Sequence, residues 1–447
     1  MRLAIVTGLA LFAAAAPAQA GTARLESTSD PRAGTTVDLV YEAAAGEANR
    51  VTVSGEGDAG GTTALVVRDL AGVVPGPGCQ RQDPADSTHV RCPVPSGATA
   101  ESFQATLGDA NDTLTLLQTA VALVGHVEAG PGNDRLVSSG TMIGGPGNDS
   151  MRGGDIGDLF DEGDAGNGRD RIVGGGGIDH LTYEGRSRSV TVDLAGDRDD
   201  GERGERDLVG STVEALTGGR GEDRLIGNRR HNTLSGLQGA DVLIGGRGDD
   251  GLYAHDIVRP RGRTADRLSG GRGEDILVGS NGANRLNGGP GRDRLTGARG
   301  DDLLLAADGA LDEATCGLGF DRARLDGFDF VTRGCERTDR PNAAAAVPLR
   351  TTRFAGGRGE QLAVSVGCPG DAAPVCRGTV QVFALGRLLT ERGFTIRAGN
   401  ARSLPFDVPG GNRTLQRIRR VRMVVQSNDG AGGMTTTTLV GPIEPQD

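Results

Sequence analysis

Apolar residues recur at regular spacing through the middle of the chain, each of them two positions after an aspartate or an asparagine. The residues on either side of each one are mostly polar, which is typical of a short strand whose central residue points into a core. The chain is only 36% hydrophobic, so this regularity excludes a low-complexity disordered tract. The apolar positions are Leu136, Met151, Phe160, Ile172, Leu181, Leu225, Leu234, Leu243, Leu252, Leu268, Leu277, Leu286, Leu295 and Leu304.

A glycine-rich turn precedes each of these strands. From residue 129 to about residue 305 the chain repeats the unit G-G-x-G-x-D-x-U-x, where U is apolar. Glycine reaches backbone conformations with positive φ that other residues resist, so the first six residues can turn tightly. Two units complete one coil of about eighteen residues. Stacked coils predict an all-β fold, a parallel β-roll or β-solenoid with the apolar residues between two sheets. The clearest copies of the unit are 174–182, 218–226, 245–253, 270–278 and 288–296.

The aspartate at the sixth position of the unit makes the turn a candidate metal-binding site. Carbonyl oxygens of a bare glycine turn can point at a shared centre, and the carboxylate adds charge to it. Such an all-oxygen cage favours Ca²⁺ over softer metals. Without calcium the aspartates repel one another, so we expect folding to depend on binding several calcium ions.

These units resemble the RTX, or haemolysin-type calcium-binding, repeat family, over roughly residues 104–340. The stretch from 179 to 218 also resembles the linking segment of such rolls. Asn232 and Asn284 replace the aspartate, and Ile156 and Arg230 replace the fourth-position glycine, so we expect weak binding or none in those turns. The calcium carboxylates that the resemblance implies are Asp134, Asp149, Asp158, Asp170, Asp179, Asp223, Asp241, Asp250, Asp266, Asp275, Asp293 and Asp302.

Other segments flank and interrupt the repeats. The repeat region, 126–305, is broken at about 183–216 and again at 254–263, where a surface bulge is expected. Residues 21–125 have the short alternating strands and turn residues of a β-rich segment that leads into the solenoid. Residues 306–341 are expected to form a disulfide-closed cap, because a solenoid must cover its last apolar layer. Residues 347–447 alternate polar and apolar positions and predict a β-sandwich domain.

The N-terminus predicts export. Arg2, an apolar run from 3 to 16 and Ala18-Gln19-Ala20 form the pattern of a secretory signal peptide spanning residues 1–20. A membrane anchor is the alternative, but the run is short for a span of about 20 residues. We therefore expect a secreted, extracellular protein with no transmembrane segment in the mature chain. Attachment to the cell surface stays open.

Six cysteines fit an oxidising destination. Proximity predicts three local disulfides, although six cysteines allow about fifteen pairings. Zinc binding is the alternative, but none of the pairs has C-x-x-C spacing or a nearby histidine. The predicted pairs are Cys79 with Cys92, Cys316 with Cys335, and Cys368 with Cys376.

Composition narrows the function. The chain has 76 glycines and no lysine, so its 48 basic residues are all arginine, which excludes a P-loop and Schiff-base chemistry. A net charge of −11 does not favour nucleic-acid binding. No H-E-x-x-H or G-x-S-x-G motif is present, and no catalytic residue is predicted.

Two functions remain. The first is a non-enzymatic, secreted calcium-binding protein with a structural, adhesive or cell-surface role, whose partner is a surface glycan or an envelope component. The alternative is a solenoid carbohydrate-active enzyme of the lyase or epimerase type. Its site would be built from His180, Tyr183, Arg186 and Asp193, which we interpret instead as ordinary surface residues.

Overall fold

The computed structural model of the protein contains strands and turns and, among the residues it describes, no helix. Accordingly, this part of the chain has no helix with the length and apolarity that a membrane crossing needs. The described residues are 20–30, 34–58, 61–117, 123–164, 166, 168–197, 199–255, 264–326, 329–339, 349–350, 361–367, 375–384, 387–397, 401–407, 420–428 and 434–442.

The chain divides into two units, one formed by residues 1–186 and 196–213 and the other by residues 187–195 and 214–447. The strands of the first unit are β1 (Gly21–Asp30), β2 (Gly34–Glu42), β3 (Arg50–Asp58), β4 (Gly61–Asp69), β5 (Val73–Pro75), β6 (His89–Pro93), β7 (Ala98–Thr106), β8 (Thr113–Leu116), β9 (Val124–Glu128), β10 (Arg135–Val137), β11 (Gly140–Ile143), β12 (Ser150–Arg152), β13 (Leu159–Asp161), β14 (Arg171–Val173), β15 (His180–Thr182), β17 (Gly201–Glu202) and β18 (Leu208–Val209).

Two sheets form the first unit. In one, the strands follow the order β5-β1-β2-β7-β9-β11-β13-β15, and in the other β6-β4-β3-β8-β10-β12-β14-β18. Strands pair in parallel from β7 and from β3 toward the repeats. The hairpins β1–β2 and β3–β4 are antiparallel. The N-terminal segment therefore supplies the first strands of both sheets of the roll.

The second unit continues the nonapeptide pattern with short strands. They are β16 (Val190–Asp193), β19 (Ala215–Thr217), β20 (Arg224–Ile226), β21 (Thr233–Ser235), β22 (Val242–Arg247), β23 (Gly251–Tyr253), β24 (Arg267–Arg272), β25 (Ile276–Val278), β26 (Arg285–Asn287), β27 (Arg294–Arg299), β28 (Leu303–Leu305), β29 (Glu313–Leu318), β30 (Arg322–Arg324), β31 (Phe330–Arg333) and β32 (Arg337–Asp339). One sheet has the order β19-β21-β23-β25-β27-β29-β31 and the other β16-β20-β22-β24-β26-β28-β30-β32. The predicted all-β parallel β-roll is confirmed.

The core of each roll is the set of apolar residues that the pattern predicted. Leu225, Leu243 and Leu268 occupy the same register position on successive parallel strands, and the other predicted positions are arranged likewise. All fourteen are at most 2% exposed. A three-residue strand buries mainly its central side chain, so one apolar residue per unit builds a thin, continuous core.

Two of the predicted disulfides are present, Cys79–Cys92 in the first unit and Cys316–Cys335 in the second. The latter lies in the segment 306–341, where strands β29 to β32 continue both sheets. The segment expected to cover the roll therefore extends it. The pair Cys368–Cys376, the signal peptide and most of the 254–263 bulge lie outside the described residues.

The C-terminal part of the second unit has antiparallel strands. The two sheets have the orders β33-β34-β37 and β36-β35-β38-β39. How these sheets pack, and hence the predicted sandwich, lies outside the described residues. The strands are β33 (Leu349–Arg350), β34 (Gln361–Gly367), β35 (Val375–Ala384), β36 (Arg387–Arg397), β37 (Ala401–Asp407), β38 (Arg420–Asn428) and β39 (Met434–Pro442).

Candidate metal centre

The predicted calcium carboxylates all lie inside the roll, at the start of a strand. All twelve aspartates, together with Asn232 and Asn284, are at most 3% exposed. Each is followed by a short strand that holds its backbone in place, so the carboxylate is turned into the glycine-rich bend. Single aspartates in glycine-rich turns are ordinarily solvated, and these are not.

One oxygen of each carboxylate links neighbouring coils. The backbone amide of Asp241 donates to Oδ1 of Asp266 at 2.9 Å, and that of Asp250 donates to Oδ1 of Asp275 at 2.8 Å. We call this series of amide-to-carboxylate bonds the aspartate ladder. The same bond joins Asp112 to Asp134, Asp134 to Asp149, Asp149 to Asp170, Asp158 to Asp179, Asp223 to Asp241, Asp275 to Asp293, Asp293 to Asp312, Asp302 to Asp321 and Asp312 to Asp329.

The second oxygen is often left without a donor. A buried carboxylate oxygen that accepts no hydrogen bond is unfavourable, and a cation removes the cost. The residues therefore fit Ca²⁺, which takes carboxylate and carbonyl oxygens. The aspartates whose Oδ2 is buried and has no hydrogen-bond partner among the described residues are Asp112, Asp134, Asp149, Asp241, Asp250, Asp275, Asp293, Asp302, Asp312 and Asp321.

Glycine is required by this arrangement at two kinds of position. A Cβ on Gly288, the first residue of its unit, would overlap Oδ2 of Asp293. Gly246, in the second position of its unit, has φ +114°, which disfavours a side chain. The repeated glycines thus keep space for the carboxylate and allow the bend.

Asn284 identifies the carbonyl oxygens that face the centre. Its Nδ2 donates to the carbonyl oxygens of Ser280 and Gly282, both at 2.9 Å, and to Oδ1 of Asp302 at 3.0 Å. A third carbonyl, that of Gly297, accepts at 3.3 Å. The amide nitrogen therefore lies among oxygens that would otherwise face a cation, and weak calcium binding in this turn stays a prediction.

Burial changes the acidity of the ladder. Removal from water raises the pKa of Asp149, Asp250 and Asp293 to about 7. The same desolvation raises the pKa of Asp241 and Asp312 to about 8. The carboxylates thus hold protons near neutral pH unless a cation compensates their charge.

Not every predicted site has this geometry. The second oxygens of Asp158, Asp223 and Asp266 each accept a hydrogen bond, from Gly154 at 2.8 Å, Gly219 at 2.6 Å and Ser280 at 2.6 Å. In these three turns a cation would have to share the second carboxylate oxygen with a hydrogen-bond donor.

Backbone conformation does not set apart the turns with Ile156 or Arg230 in the fourth position. Neither residue has a positive φ, and neither do Gly132, Gly221 and Gly282 in the fourth position of other units. Weak calcium binding in the turns of Ile156 and Arg230 stays a prediction.

Several members of the aspartate ladder were not among the predicted calcium ligands. Asp312, Asp321 and Asp329 are each 1% exposed and belong to it, as does Asp112. Their units are degenerate, with Ala314 and Ala323 in the core position and Cys316 in place of the first glycine of its unit. An apolar residue two places after an aspartate, with alanine allowed, is the signal that would have found them.

A second acidic cluster lies in the first unit. Carboxylate oxygens of Glu162, Asp170 and Asp207 all lie within 4.8 Å of one another, and all three residues are buried. Of these, only Asp170 was predicted as a ligand. Burial raises the pKa of Asp207 to about 8. Three converging carboxylates could hold a further cation here.

The same region corrects one interpretation. Arg186 and Tyr183 are not surface residues, since they are 0% and 1% exposed. Arg186 is held inside by Glu205 at 2.8 Å, by Glu202 at 3.3 Å and by the backbone carbonyl of Glu162 at 2.8 Å. A buried guanidinium with this many acceptors is a structural centre. His180 and Asp193 are half-buried.

Comparison with known families agrees with this geometry. The model described as "RTX calcium-binding nonapeptide repeat (4 copies)" matches residues 137–155, 164–182, 217–252, 262–295 and 278–310. These segments of the chain are RTX-type calcium-binding repeats. Ten of the twelve predicted aspartates fall inside the matched RTX segments, and Asp134 and Asp158 fall outside them. No curated protein matches the chain.

Proposed function

We propose that this RTX protein is a secreted, non-enzymatic protein whose roll folds when calcium binds, and that it serves a structural or adhesive role at or near the cell surface. The observation that carries the proposal is the row of buried Oδ2 atoms without donors, such as those of Asp241 and Asp293. Without cations, these charges oppose folding, and a core of one aliphatic side chain per unit is too thin to compensate for ordering so much glycine.

Calcium supplies the missing free energy in this proposal. Extracellular modules bind calcium at about 0.1 to 1 mM, so a chain with this chemistry would stay unfolded at cytosolic calcium levels and fold after export. Because binding and folding are coupled, the chain would fold only once export brings it to a calcium-rich environment.

Circular dichroism and calorimetry test the proposal. Adding excess chelator to the mature protein should remove most of its β-structure, and calcium at about 0.1 to 1 mM should restore it. Calorimetric titration should give several ions per chain. A spectrum that chelator leaves unchanged would contradict calcium-coupled folding.

Export is tested separately. N-terminal sequencing of protein recovered from the culture medium should begin at Gly21. Protein retained in cells with residues 1–20 intact would rule out the secretory role while leaving calcium binding untouched.

The positions of two residues weigh against the enzymatic alternative. Burial of Arg186 and Tyr183 removes from solvent two of the four residues on which it depended. We therefore propose a binding protein with no catalytic residues of its own.

A further inference from the structure

One face of the roll in the second unit carries a row of arginines. On successive parallel strands, the outward position just before the core residue holds Arg224, Val242, Arg267 and Arg285, paired in register. All three arginines are exposed. Neighbouring strands are about 4.8 Å apart, so Arg267 and Arg285 are positive side chains on directly adjacent strands.

No described residue forms an ion pair with Arg224, Arg267 or Arg285. Further along the same row, by contrast, Arg322 and Arg337 both pair with Asp339. Like charges in register on adjacent strands repel. The adjacent arginines therefore cost stability in the isolated protein, and a bound anion would remove that cost.

The row belongs to one sheet only. On the other sheet of this unit the equivalent positions carry Thr233, Gly251, Ile276, Arg294 and Glu313 in register. The single arginine there lies 3.9 Å from a carboxylate oxygen of its neighbour Glu313. Although the chain has a net charge of −11, one sheet of the second unit therefore carries a row of exposed arginines that its other sheet lacks.

A cleft lies on this face at the two adjacent arginines. Its volume is about 370 Å³, and Arg267, Arg285, Ser269, Asn287 and the aliphatic side chain of Ile244 are among the residues that line it. Guanidinium groups bind carboxylates with two parallel hydrogen bonds. Hydroxyl and amide groups can bind sugar hydroxyls, and aliphatic side chains can contact the apolar face of a sugar ring.

We propose that this cleft and the arginine row form a binding surface for an acidic polysaccharide built from uronic acid sugars. Arg267 and Arg285 donate hydrogen bonds to one sugar carboxylate that lies between them, and Arg224 donates to another along the row. The arginine row is one residue wide. A linear polyanion can lie along such a row, whereas a planar membrane surface would contact a broader area. Nucleic acids are disfavoured because the lining has no aromatic side chain on which a base could stack.

This surface and ligand class would account for the proposed adhesive role. The inference rests on the proposed function in one respect: the roll must be folded with calcium bound. The test uses the full mature chain in millimolar calcium and a fluorescently labelled oligogalacturonate at trace concentration, so that the probe does not deplete calcium. Polarisation should report saturable binding that weakens as NaCl is added. A neutral dextran oligomer should not bind.

The variant R267S/R285S should weaken binding at least about tenfold, since it removes both partners of the carboxylate. The matched control is R135S/R171S. These arginines occupy the same position of the repeat in the first unit, but each lies between uncharged neighbours in its sheet. The control should change binding by less than about twofold.

Circular dichroism of the same samples separates the two proposals. A folded, calcium-loaded protein that binds no oligogalacturonate overturns the polysaccharide surface and leaves the calcium proposal standing. Equal weakening by both double variants, or binding to anionic phospholipid vesicles or single-stranded DNA but not to the oligosaccharide, overturns it as well.

Discussion

The backbone amide of Asp275 donates to Oδ1 of Asp293, one coil further along, at 2.9 Å, while Oδ2 of Asp293 is buried with no hydrogen-bond partner in the described structure. The two oxygens of one carboxylate thus have different tasks. Oδ1 connects coils, and Oδ2 is available to a cation. Because asparagine retains one of the two oxygens, connection and metal binding can be separated by mutation.

Exchanging aspartate and asparagine should change calcium stoichiometry in both directions. Asp293→Asn should lose one ion, because an amide nitrogen replaces the Oδ2 ligand as in Asn284. Asn284→Asp should gain one, because a carboxylate then faces the carbonyls that the amide now satisfies. Calorimetric titration measures both. Glu274→Gln, an exposed carboxylate next to the ladder, is the control, and a stoichiometry unchanged in both variants would refute this division of tasks.

A methyl group at the first glycine of a unit should damage the site directly. Gly288→Ala places a Cβ against Oδ2 of Asp293, so we expect weaker calcium binding and a loss of about 1 to 3 kcal/mol from overpacking. Gly176→Ala is the matched control, because its Cβ would meet its neighbours only at ordinary contact distances. Calcium-dependent thermal unfolding compares them, and equal effects of the two substitutions would argue against a steric role for Gly288.

Calcium-free protein should be more ordered in mild acid than at neutral pH. Burial raises the pKa of Asp250 to about 7 and of Asp241 to about 8 in the folded state, above the value of about 3.9 in unfolded chains. The folded form then binds more protons, so this contribution to stability is present at low pH and lost as the pH rises through 7 to 8.

Far-ultraviolet circular dichroism of dialysed, calcium-free protein between pH 5 and 8.5 (about the span of these titrations) checks the direction. Calcium affinity should fall toward the acid end because protons compete for the same oxygens. A calcium-free spectrum that becomes more ordered as pH rises would contradict the assignment.

Ala298→Gly should stabilise the roll. Ala298 stands in the second position of its unit with φ +81°, a conformation that costs a residue with a side chain about 1 to 2 kcal/mol. Part of the gain is offset by the greater freedom of glycine in the unfolded chain, so we expect about 0.5 to 1 kcal/mol in denaturant unfolding with saturating calcium. Ala283→Gly, at a turn position without positive φ, should destabilise instead.

The fold was predictable from the sequence because the nine-residue repeat determines where each turn and each short strand lies. One apolar residue such as Leu243 in every unit, always two places after the aspartate or asparagine, can be buried only in stacked short strands. The glycines were predictable as turn residues, but the overlap between Gly288 and Asp293 was not, since the pattern does not say which carboxylate oxygen points toward the bend.

The remaining residues lacked a periodic signal. Asp312 and Asp321 belong to units whose core residue is alanine, and alanine was not included among the apolar residues that define the repeat. Arg186 and Glu162 lie outside the repeat pattern, and an arginine in a polar stretch suggests the surface. Its burial depends on Glu205, which comes from a separate loop and meets it only in the folded chain.

The ladder bond has an evolutionary consequence. It uses only the oxygen that asparagine shares with aspartate, and the codons of these two residues differ by a single base. A coil can therefore lose or regain its ion in one mutational step while its neighbours keep their register. At Asn284 the ladder bond from the amide of Asp266 is kept, although an amide nitrogen stands in place of the second carboxylate oxygen.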